Sequence, residues 1–99
     1  LAWWSNYPTD DRQPFVLAPG VDLYGPLGIG WNESRGRWSG TSFSTPLVSG
    51  AAALALARNP WRSADDVIRM LTDAVDPAYD TWGRPSEFGR INLWKVVTQ

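Results

Sequence analysis

No cysteine occurs anywhere in the 99 residues, so a disulfide framework, a thiolate nucleophile and a cysteine metal site are all excluded. That absence suits either side of a membrane and leaves the redox compartment open. Histidine is also missing, which removes the commonest general base and the commonest metal ligand from this stretch of chain. Lys95 is the only lysine, and arginine carries the rest of the positive charge. With a formal net charge of -1, there is no basic field to hold nucleic-acid phosphates. No apolar run reaches the length of a membrane span, because Pro46, Ser49 and Gly50 interrupt the longest. A Walker-type G-x-x-x-x-G-K-S/T string is absent too, which argues against phosphate cradling by the glycine-rich stretch. The start shows neither a signal-peptide pattern nor a methionine, and Leu1 reads as the beginning of a processed or excised piece.

What is present is a folding composition, with 43% hydrophobic and 19% charged residues, enough for one domain and one core. Seven tryptophans are a high share for this length. They read either as packing surface or as a face turned toward a larger partner. The segment "LAWWS" reads as a strand or strand end, and "NYPTDDRQP" as a loop. "FVLA", stopped by Pro19-Gly20, predicts a short buried strand entering a turn, and "VDLYG" alternates like another extended piece. Residues 25–40 hold five glycines and read as a flexible surface loop of the kind that rims sites.

The most legible helix runs from about Ser42 to Arg58. Leu47, Val48, Leu54, Leu56 and the alanines at 51, 52, 53, 55 and 57 lie all round it, which predicts burial on every side. Pro46 is tolerable only in the first helical turn, where its missing N–H costs nothing, which places the helix start within a few residues of Ser42. Asn59-Pro60 ends it. Ser63-Ala64-Asp65-Asp66 resembles a capping box with Asp in place of Glu, opening an amphipathic helix on Val67, Ile68, Leu71 and Val75. Residues 76–90 read as a loop, and Leu93, Val96 and Val97 fit a short terminal helix. A central helix apolar on all sides asks for a larger body than these elements supply.

The stretch "SGTSFSTPLVSGAAALALA" places hydroxyl residues at the mouth of that helix. One reading is capping by Thr41 or Ser42, with Ser44 and Thr45 as first-turn hydroxyls. The other is chemical. Backbone N–H groups at a helix start are unpaired, and the helix dipole favours negative charge there. A serine so placed could attack a carbonyl while its own N–H stabilises the oxyanion, given a base to take its proton.

The longer string "GTSFSTPLVSG" resembles the nucleophile motif of the subtilisin-like serine proteases, the subtilases: G-T-S-x-S/A-x-P-x-V-S/A-G, followed by an alanine-rich helix. Gly40, Thr41, Ser42, Ser44, Pro46, Val48, Ser49 and Gly50 all match it. "WSNYP", "FVLAPGVDLYG" and "GRINLWKVV" are similar to flanking segments of the same family, so the resemblance runs from about Ala2 to Val97. It implies an α/β fold: the C-terminal portion of a three-layer subtilisin-like domain, residues 1–99, with short strands, a long buried central helix after the nucleophile turn and two further helices. It implies that Ser42 is the nucleophile and that its N–H is an oxyanion donor. Gly40 and Thr41 shape the turn, while Phe43 and Ser39 line the cleft, Phe43 on the leaving-group side. Ser44 and Pro46 are structural.

The resemblance also says what must come from elsewhere. The family's Asp and His motifs, and the Asn that completes its oxyanion hole, lie upstream of the serine motif, and only 41 residues precede Ser42 here. Asn6 matches a different family segment and Asn32 sits in the glycine loop, so neither is that Asn. A Ser42–Lys95 dyad is disfavoured because Lys95 matches a scaffold position. Asp22 reads as a solvated loop carboxylate, and the carboxylates at 65, 66, 73, 76 and 80 as helix-start and loop charges. No metal site or cofactor is expected. Calcium belongs at most to the parent enzyme, since Gln13 and Phe15 stand where some subtilases carry a calcium-binding carboxylate. The implied partners are a peptide or protein substrate and the missing N-terminal part of the catalytic domain, with neither nucleic acid nor membrane. Family habit implies a secreted or extracytoplasmic location. Two functional readings stay open: the serine-bearing part of an endopeptidase, or a catalytically inactive remnant that serves as a scaffold or interaction module.

Overall fold

The computed structural model describes residues 1–6, 8, 10, 14–26 and 35–99. Its elements in chain order are β1 (Leu23–Pro26), β2 (Arg35–Trp38), α1 (Thr41–Arg58), α2 (Ala64–Asp73), β3 (Val75–Asp76), β4 (Arg90–Ile91) and α3 (Leu93–Thr98). The strands form two antiparallel pairs, β1 with β2 and β3 with β4. A single parallel bridge, Leu17 with Arg90, joins the "FVLA" segment to β4. The Leu17 N–H donates to the Gly89 carbonyl at 2.9 Å, and the Ile91 N–H donates to the Leu17 carbonyl at 2.8 Å. Gly89 is required here: a Cβ on it would run into the Val75 side chain and the Asp76 carbonyl.

The core lies where the three helices meet the Leu17 segment. Ala51 and Ala55 of α1 are one helical turn apart and fully covered. They pack with Val67 and Leu71 of α2, Ala74, Ile91 and Val96 of α3, with Val16, Ala18 and Met70 at the margin. Small side chains let the helices approach closely. The capping box that opens α2 is present in full. The Ser63 hydroxyl accepts from the Asp66 N–H at 3.1 Å, and the Asp66 carboxylate accepts from the Ser63 N–H at 3.1 Å. The Ser63 hydroxyl and then its N–H hold the Asp66 carboxyl below the usual carboxylate range. At the far end of α1, the Arg62 guanidinium donates to the Ala55 carbonyl, which the Asn59 N–H also reaches.

Several expectations are corrected. α1 is not buried on every side: Leu47 is 41% exposed, Leu54 44% and Leu56 39%. The two short helices and the strands cover only the strip through Ala51 and Ala55. The six described tryptophans stay outside the core and are all exposed, Trp61 most of all at 93%. "LAWWS" forms a turn at Trp3 and Trp4 rather than a strand. The "glycine loop" contributes a strand, β2; its residues 27–34, Asn32 included, lie outside the described residues. Pro46 is the sixth residue of α1, past the first turn. Lacking an N–H, it leaves the Ser42 carbonyl without the bond an α-helix would give it.

Candidate active site

The hydroxyl turn is seated by two glycines. The Gly40 N–H donates to the Gly20 carbonyl at 2.6 Å, tying the start of α1 to the turn after "FVLA". A Cβ on Gly20 would collide with the Ser44 hydroxyl and sit 3.1 Å from the Gly40 carbonyl oxygen. Gly40 is itself the N-cap of α1, at φ 141°, in a region that L side chains rarely adopt. Two more bonds fix the same junction. The Ser44 hydroxyl donates to the Ala18 carbonyl at 3.3 Å, and the Asp22 N–H donates to the Ser39 hydroxyl at 2.9 Å. Asp22 holds a positive φ of 54° to make that reach.

This geometry corrects the capping reading. The N-cap is Gly40, and no side chain caps α1. Thr41 is the first helical residue and Ser42 the second. Thr45 and Ser49 instead bond back to carbonyls one turn earlier, at 2.8 and 3.2 Å. Ser42 is exposed, and its hydroxyl makes no hydrogen bond among the described residues. Its N–H belongs to the unpaired first turn of an 18-residue helix, where an anion is favoured. Phe43, half-buried, stacks on Trp38 at the end of β2, ring centroids 6.0 Å apart and planes 18° from parallel. Ser39 and Gly40 thus link β2 to α1, and Thr41, Ser42 and Phe43 form the first turn of that helix.

The other charged residues lie elsewhere. The Lys95 ammonium is 2.7 Å from both the Asp76 carboxylate and the Val75 carbonyl, which ties it to β3 and not to Ser42. Asp76 also accepts from the Asn92 amide at 2.8 Å; the Lys95 ammonium and then Asn92 lower its pKa. Burial pushes the Asp80 carboxyl up, but the N–H groups of Arg84 and Trp82 and the Arg84 guanidinium at 2.6 Å bring it below the usual range. Asp65 is exposed in the first turn of α2 and Asp73 ends that helix. Among the described residues no group of His, Cys, Asp or Glu could hold a metal ion, and no helix is long and apolar enough to cross a membrane. Gln13 lies outside the described residues.

Two features escaped sequence reasoning. Trp38 as the partner of Phe43 was hidden because "RGRWSG" reads as glycine-rich loop. The role of Gly20 was partly visible: a Pro-Gly turn ahead of a small-residue helix is a place where two backbones can touch.

The sequence matches the Subtilase family over residues 1–89. It is 31% identical to a calcium-dependent protease of Trichormus variabilis over 97% of this chain and 17% of that protein. It is 31% identical to an extracellular serine protease of Serratia marcescens over 83% of this chain and 10% of that protein. It is 46% identical to a subtilisin of Bacillus pumilus over 61% of this chain and 21% of that protein. The chain therefore spans about a fifth or less of the length of these relatives.

Proposed function

The chain belongs to the subtilase family, and from that premise we propose that it is the C-terminal, serine-bearing segment of a peptidase catalytic domain. In this reading Ser42 attacks the scissile carbonyl of a peptide or protein substrate. A histidine from the rest of the domain takes the hydroxyl proton and returns it to the leaving amine, and an aspartate orients that histidine. The tetrahedral oxyanion is met by the Ser42 N–H at the start of α1. The acyl-enzyme on Ser42 Oγ is then hydrolysed by water.

The observation that carries the reading is the seat of Ser42. It is an exposed, uncapped hydroxyl on the unpaired end of α1, held by Gly20 and Gly40 in a turn whose sequence matches the family's nucleophile motif. The uncovered faces of α1 and the exposed tryptophans support a second part of the same domain packing there. Ser39 and Phe43 line the cleft beside Ser42, and the relative named as extracellular supports secretion. The 99 residues alone, having no histidine, are inactive in this reading.

The test is Ser42→Ala in the longest protein that carries this segment. A fall in kcat/KM by about 10^4-fold or more is expected. Undiminished hydrolysis would reject Ser42 and leave the segment a scaffold or interaction module.

A further inference from the structure

Beyond the turn, the β1–β2 hairpin carries an unassigned cationic face. Its register sets Tyr24 opposite Arg37 and Pro26 opposite Arg35, and all four are exposed. The opposite face carries Leu23, Trp38 and the Gly25–Gly36 pair, and Trp38 turns toward Phe43. Neither arginine has an ion-pair partner among the described residues. The Arg37 guanidinium lies across the base of the hairpin, donating to the backbone carbonyl of Asp22 at 3.4 Å. Asp22 in turn is bonded to Ser39, three residues before Ser42. The guanidinium thus sits at the end of the hairpin that joins α1, with Arg37 at most about 18 Å of chain from Ser42.

We propose that this face is a subsite for acidic side chains of the substrate. The inference rests on the peptidase reading of Ser42 and adds a substrate class to it. Arg35 and Arg37 are two apart on one strand face, a separation of about 6.8 Å. Carboxylates at alternate positions of an extended peptide have the same spacing. Guanidinium groups suit carboxylates because their planar fork can donate two parallel bonds. Trp38 follows Arg37 directly but stands on the opposite face of the hairpin, where it stacks on Phe43 and leaves the arginine face clear.

The test uses the longest protein carrying the segment and quenched fluorogenic peptides identical except for an Asp-x-Asp, Asn-x-Asn or Lys-x-Lys stretch at matched positions flanking the cleaved bond. Cleavage of the Asp peptide is expected to exceed that of the Asn peptide by about fivefold in kcat/KM at low ionic strength. The ratio should contract at about 0.5 M salt. It should approach one in the Arg35→Gln, Arg37→Gln double variant, and Arg→Lys replacements should retain part of it. Equal cleavage of the Asp and Asn peptides at low salt, or a preference untouched by the double variant, overturns the subsite. If cleavage survives Ser42→Ala, or none occurs, the peptidase reading fails separately. Fluorescence anisotropy of labelled forms of the same peptides then decides. Charge-selective binding lost in the double variant upholds the subsite, and equal binding of all three overturns it.

Discussion

Replacing Gly20 by alanine probes the seat of Ser42 without touching the serine. The added methyl meets the Ser44 hydroxyl and stands 3.1 Å from the Gly40 carbonyl oxygen. Ser44 can rotate away, but it then gives up its bond to the Ala18 carbonyl, a loss of about 1 kcal/mol. The Gly40 carbonyl cannot move so easily, because the Gly40 N–H is held to Gly20 at 2.6 Å. Crowding against it adds about 1–3 kcal/mol. The expected total is a destabilisation of about 2–4 kcal/mol. A double-mutant cycle separates the two parts. In a Ser44→Ala background the hydroxyl and its bond are already gone; the new methyl meets the residue-44 Cβ at an ordinary 3.6 Å, and only the crowding against the Gly40 carbonyl oxygen at 3.1 Å remains. Gly20→Ala should then cost about 1 kcal/mol less than in the parent. Urea unfolding of the four proteins, with unchanged slopes, reads both quantities. A Gly20→Ala effect within about 0.5 kcal/mol of zero, or strict additivity with Ser44→Ala, would refute the close-contact account.

Two further substitutions follow from the same structure. Gly40→Ala forces a side chain into φ 141°; it should cost about 1–3 kcal/mol and lower kcat more than it raises KM, because Ser42 follows two residues later. Stability and kinetics both at parental values would contradict the strained turn. Asp76→Asn removes a carboxylate whose pKa is depressed by Lys95 and Asn92. Its contribution is present above the ordinary carboxylate pKa of about 4 and is lost as the pH falls through the lower folded value. The variant should therefore be less stable at neutral pH and should show a shallower acid-induced loss below about pH 4. Parallel stability–pH curves for the two proteins would show that the ion pair does not form.

The helices were the legible part of the fold. Ser63 and Asp66 announced the start of α2 through chemistry that is local to four residues, and the structure realises both bonds. The end of α1 at Asn59-Pro60 was equally local. Burial was not legible in the same way. An apolar side chain says what it would bury against if something were there, and the described residues leave Leu54 and Leu56 exposed. The strands were half legible, because "VDLYG" alternates clearly whereas β2, "RGRW", is short and glycine-bearing. The turn at Ser42 was visible as a motif, but its mechanics were not. Capping by Thr41 or Ser42 was the natural local reading, and a glycine in an unusual conformation replaces it. The contact of Trp38 with Phe43 depends on two side chains meeting across a turn, which no local pattern encodes, and the Pro-Gly turn at Gly20 marks a place for close approach without naming Gly40 as its partner.

The most direct test of the central claim is covalent labelling of Ser42. The longest protein carrying the segment would be treated with a fluorophosphonate, digested and mapped by mass spectrometry. One adduct per chain, on the Ser42 peptide and absent from Ser42→Ala, is the predicted result. An unlabelled Ser42 in that protein, or an adduct carried by a different serine, would contradict it.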